Sequence, residues 1–88
     1  MSFMFYKCVN LIDLNISNFN TQNVTDMSAM FQFCEKLKVL ELSNFNTKNV
    51  IKMRNMFSDC VSLTKVNLSS FNTQKVEDIG GLFQFCKI

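Results

Sequence analysis

Eighty-eight residues suffice for one small domain, and a net charge of +2, from nine basic and seven acidic residues, is too weak to argue for nucleic acid or an anionic membrane surface. Hydrophobic residues make up 48%, with ten Phe and six Met, which excludes a disordered chain and demands a regular way of packing apolar side chains. No stretch approaches the ~18 consecutive apolar residues of a membrane span, and the opening MSFMFYKCVN lacks the basic leader and apolar core of a signal peptide.

Phe3-Met4-Phe5 reads as the second half of a helix closing at Cys8. Leu11, Leu14 and Ile16 then give L-x-x-L-x-L, whose last part alternates with period 2 and reads as a short strand. Phe19-Asn20-Thr21 forms a corner, and Asn23 followed by Asp26 is a cap and first-turn acid for the helix that follows. The second unit repeats the order with Leu37, Leu40, Leu42 and the corner Phe45-Asn46-Thr47. Its apolar residues then fall at Val50, Met53, Met56-Phe57 and Cys60, the three-and-four spacing of one helix face. Leu63, Val66, Leu68, Phe71-Asn72-Thr73, Val76, Ile79 and Leu82-Phe83 complete a third. Gly80-Gly81 stands where helix is expected and weakens that helix by roughly 1 kcal/mol per Gly relative to Ala.

Cys8, Cys34, Cys60 and Cys86 mark the period, each 26 residues from the next. The whole chain is therefore one repeat domain, 1–88, with coils 4–29, 30–55 and 56–81 and a partial fourth, 82–88. One strand and one helix in 26 residues predicts an α/β leucine-rich-repeat solenoid of about three coils. Its parallel sheet would line the concave face, with strands roughly 4.8 Å apart, and short helices the convex face. Two columns suit such stacking. Asp26, Lys52 and Asp78 alternate in sign, and Asp13, Val39 and Lys65 keep like charges apart, each exposed pair worth at most ~1 kcal/mol.

With these residues in place, the unit L-x-x-L-x-L-S-x-F-N-T-x-N-V-x-x-M-x-x-M-F-x-x-C resembles the BspA-like leucine-rich-repeat surface proteins, including the related repeats of mycoplasma lipoproteins. The resemblance covers essentially the whole chain. It implies a cell-surface or secreted protein engaged in adhesion, host-protein binding or aggregation, and it carries over no catalytic residue.

The candidate chemistry is sparse. A Cys spacing of 26 without His is unlike any zinc site. Stacked cysteines come within disulfide range, but equivalent side chains point the same way, so a buried ladder of free thiols is expected. Phe19, Phe45 and Phe71 are read as a core ladder, since base stacking would need a basic groove beside them. Asn20, Asn46 and Asn72 are read as bonding the corner backbone, giving a ladder between coils. The glycosylation triplets at Asn15, Asn23 and Asn67 are coincidences of an Asn- and Ser-rich chain, and Lys48, Lys52 and Arg54 form a solvated basic cluster. No cofactor, metal or catalytic residue is expected, for no base stands beside a nucleophile at a recognisable spacing.

Function is then expected in binding. The concave face would present Asp13, Asn15 and Ser17; Val39, Glu41 and Ser43; and Lys65, Asn67 and Ser69 to a host or matrix protein. These lack the Trp, Tyr and Arg anchors of strong interfaces, so avidity over many repeats would supply affinity. One alternative is self-association, with copies stacking end to end through uncapped coils that expose Phe3, Phe5, Phe83 and Phe85. Another is an intracellular, redox-responsive scaffold, compatible with free thiols. No nucleic-acid partner and no membrane insertion by this segment are expected.

Overall fold

Each 26-residue unit closes one turn of a flattened coil, and the coils stack in register. A computed structural model describes residues 1–87, with a Cα radius of gyration of 11.7 Å and extents of 30 × 27 × 20 Å. On one side lie β1 (Val39–Glu41) and β2 (Lys65–Asn67), which pair in parallel. Val39 faces Lys65, Leu40 faces Val66 and Glu41 faces Asn67, a shift of one repeat. Leu40 points inward and is buried while Val39 and Glu41 are exposed, the alternation expected of a strand with one wet face. The equivalent residues of the first coil, Asp13 to Asn15, form no strand.

The opposite wall overturns the α/β leucine-rich-repeat solenoid expected from the sequence: the described residues contain no helix and only these two strands. Along this wall the N–H groups of Met53, Asn55, Phe57 and Asp59 donate to the carbonyls of Asp78, Gly80, Leu82 and Gln84, one repeat further on, at 2.8–3.0 Å. The intervening Met56, Ser58 and Cys60 donate three residues back, to Met53, Asn55 and Phe57, at 3.1–3.3 Å. Alternate N–H groups thus serve the neighbouring coil and a local tight turn, and none remains for the i→i−4 ladder of an α-helix. Asn55 and Asp59 have φ of 58° and 61°, left-handed values that interrupt any right-handed helix. Phe3 and Lys7, then Ala29 and Phe33, then Gly81 and Phe85 repeat this pair, coil by coil. Overlapping turns of three residues bring Met53, Met56-Phe57 and Cys60 to the interior at the spacing a helix face would show. Gly80-Gly81 is therefore no flaw in a helix, and Gly81, with φ of 67°, occupies a column that needs the left-handed conformation.

Between the two walls lies one apolar core. Ile16, Met27, Met30, Phe31, Cys34, Leu37, Leu40, Leu42, Phe45, Val50, Met53, Met56, Phe57, Cys60 and Leu63 are all buried. Rings of Phe5, Phe31, Phe57 and Phe83 run through it as a face-to-face stack, with centroids 5.6, 5.8 and 5.1 Å apart and planes within 8° of parallel. Of the three corner Phe residues, Phe45 is buried and Phe19 and Phe71 are half-buried.

Candidate functional site

The nine outward strand positions come together along one side of the stack. Asp13, Asn15, Ser17, Val39, Glu41, Ser43, Lys65 and Ser69 are exposed, and Asn67 is half-buried. Each coil builds its edge in the same way. The side chain at the second position accepts the N–H of the third: Asn15 from Ser17 at 3.1 Å, Glu41 from Ser43 at 3.2 Å and Asn67 from Ser69 at 3.0 Å. Hydrogen bonding from Ser43, by its hydroxyl first and its N–H after, holds the Glu41 carboxyl below its ordinary value. These three side chains thus have a local structural duty. Asp13, Val39 and Lys65 make up the row that differs most in chemistry from coil to coil.

At the corner, Asn20, Asn46 and Asn72 accept the N–H two residues on, from Gln22, Lys48 and Gln74, each closing its own turn. The link between coils there belongs to threonine. Buried Thr21 donates its hydroxyl to the Asn46 carbonyl at 3.1 Å and accepts the Asn46 N–H at 2.8 Å, and Thr47 does the same with Asn72 at 3.0 and 2.7 Å. Sequence reasoning placed this ladder on Asn; the signal for Thr was its equal invariance in the repeat, and a hydroxyl is the smaller group that both donates and accepts. Asn44 adds a further link, donating to the carbonyls of Ile16 and Ser17.

Cys34 and Cys60 are fully buried, Cys8 and Cys86 are half-buried, and all four are free. Each of the last three donates its thiol to a Phe carbonyl of the preceding coil: Cys34 to Phe5, Cys60 to Phe31 and Cys86 to Phe57, at 2.7–3.2 Å. Burial pushes the Cys34 thiol up to about 11 and that of Cys60 up to about 12, and it raises Cys86 also. A thiol so raised carries almost no thiolate at neutral pH and is a poor nucleophile.

On the turn wall, Asp26, Lys52 and Asp78 stand in successive bridged coils. Burial would raise the Asp26 carboxyl, but hydrogen bonds from Ser28 and the charge of Lys52 outweigh it and hold the group below its ordinary value. Exposed Arg54 reaches half-buried Asp78 at 3.6 Å. A solvent-open groove of about 320 Å³ runs past these charges beside Phe3. Among the described residues no three His, Cys, Asp or Glu side chains gather as a metal site, and no helix is long and apolar enough to cross a membrane.

The family described as "Mycoplasma protein of unknown function, DUF285" matches residues 1–88. Comparison with curated proteins and with solved structures gives no match.

Proposed function

We propose, on the premise that the chain belongs to that mycoplasma family of unknown function, that it is a non-enzymatic protein-binding module whose outward strand face meets a partner protein. One observation carries this reading. The invariant columns are consumed by the core and by bonds between coils, while Asp13, Val39 and Lys65 stand exposed in one row, different in every coil and with side chains that take part in no hydrogen bond among the described residues. A surface that varies on a scaffold that does not is how repeat proteins read partners.

The 26-residue unit also resembles that of BspA-like surface proteins, which supports an extracellular setting and a host or matrix protein as partner. Three coils offer a small polar face without large anchors, so affinity would grow with repeat number. The test is binding of the 88-residue chain to a panel of immobilised extracellular matrix proteins, alongside Val39→Glu and Lys65→Glu. Both positions are exposed, so the variants should melt like the parent. Binding that falls in the variants at unchanged stability supports the face; binding that ignores both removes it.

A further inference from the structure

We infer that the two ends of the turn wall are complementary to one another, so that a second copy of this chain docks head to tail upon the first. The contact already exists three times inside the molecule. Phe3, Phe5 and Lys7 donate their N–H groups to Ser28, Met30 and Gln32; Ala29, Phe31 and Phe33 to Arg54, Met56 and Ser58; Asn55, Phe57 and Asp59 to Gly80, Leu82 and Gln84. The set that follows in this series, the N–H groups of Gly81, Phe83 and Phe85, has no carbonyl partner among the described residues. The set that precedes it, the carbonyls of Ser2, Met4 and Tyr6, has no backbone donor among the described residues. Three donors at one end therefore match three acceptors at the other, at the spacing the coils themselves use.

The side chains agree with this register. Phe83 ends the ring column against Phe57, and Phe5 begins it against Phe31, with Phe19 also stacked on Phe5 at 6.2 Å, so joining the ends would place Phe5 and Phe83 at successive positions of one column across the junction. Cys8 stands in the thiol column, where Cys34, Cys60 and Cys86 each donate to a Phe of the coil before; across the junction its acceptor is the Phe83 carbonyl. The apolar residues to be covered are among the most exposed in the chain, Phe85 at 69% and Phe3 at 56%. Lys7 and Phe85 share a column with Phe33, and Lys7 already lies 5.8 Å from the Phe33 ring centre. In the docked pair Phe85 of one copy comes opposite Lys7 of the next.

The same edges receive a following coil wherever one is covalently present; on separate 88-residue chains they receive a second copy. The contact is heterologous, with a different surface on each partner, so it propagates and forms open-ended oligomers in place of a closed dimer.

Sedimentation velocity on the 88-residue chain over a hundredfold concentration range tests this, with Phe85→Lys and Phe85→Glu beside the parent. The position is exposed, and the same column already holds Asp59, Lys7 and Phe33, so both variants should fold. The parent is expected to shift from monomer to progressively larger species. Lysine sets like charges face to face against Lys7 and should weaken association about tenfold, whereas glutamate meets Lys7 with opposite charge and should retain it. A parent that stays monomeric throughout overturns the inference, and so does association that treats lysine and glutamate alike. The outcome is independent of the strand-face reading, whose variants lie on the other side of the stack.

Discussion

A left-handed residue in an L-chain costs roughly 1–2 kcal/mol unless it is Gly, and this fold places such residues in two columns of every coil. Among the described residues Gly81 is the one left-handed position that avoids that cost, which gives the two glycines opposite predictions. At Gly80 an added Cβ would meet the flexible Arg54 guanidinium at 3.0 Å and Asp78 Oδ1 at an ordinary contact of 3.4 Å, and no positive φ is involved. Gly80→Ala should be neutral or stabilise by up to about 1 kcal/mol, through loss of unfolded-state entropy. At Gly81 the Cβ would run into the Asn55 side chain and the residue would remain left-handed, so Gly81→Ala should cost about 1–2 kcal/mol. Urea melts of the two variants decide between this wall and a helix, in which both changes would stabilise. The corner threonines allow a second comparison of the same kind. Thr47→Val keeps the shape but strands the N–H and carbonyl of Asn72, a loss of about 1–3 kcal/mol. At Thr73 the residue is exposed, and the same change should stay within about 0.5 kcal/mol in matched melts.

Among elements, the thiol column and the ring stack tie the turn wall to the core. Cys34 and Cys60 titrate far above the ordinary thiol value of 9.0 because they are buried. From pH 9 upward the unfolded chain loses thiol protons that the folded chain retains. Stability is therefore intact below pH 9 and declines as pH rises toward 11 and 12. Replacing both residues with Ala should flatten that decline in thermal melts taken between pH 8 and 10.5, although the double variant starts from lower stability. Phe57, held between Phe31 and Phe83, should cost about 3–5 kcal/mol when cut to Ala. The ring column and the cysteine column were legible in the sequence, because burial leaves a period of 26 that no turn geometry disturbs. The form of the wall was not. Apolar residues three and four apart suit a helix face, and overlapping three-residue turns produce the same spacing. The residues that distinguish the two are left-handed Ala29, Phe33, Asn55 and Asp59, and of these only Asn55 and Asp59 belong to types that favour the conformation. Gly81 was the visible clue, and it reads as a defect until the column is known.

For the whole molecule, the exchange of a helical wall for a turn wall changes where cooperativity comes from. A helix satisfies its own backbone and can persist when its neighbours are lost, whereas here alternate N–H groups of the wall, from Phe3 through Asp59, are satisfied only by the adjacent coil. No coil is complete without its neighbour. The nine outward candidates, Asp13 to Ser69, thus sit on a scaffold whose rigidity is shared by all coils, and a local lesion should be felt throughout. Two measurements follow from this. Far-ultraviolet circular dichroism of the folded chain should lack the paired 208 and 222 nm minima of helix, because the described residues hold none; a helical spectrum would refute the turn wall outright. Unfolding should also be a single transition with the same midpoint by circular dichroism and by fluorescence of Tyr6, the sole tyrosine, which reports the first coil and its contact with Phe33 of the second. Removing a link in the last coil pair, with Thr47→Val, should move both midpoints together. A Tyr6 midpoint that stayed in place while the other fell would mean that coils unfold one at a time, as in long repeat arrays where cooperativity breaks down.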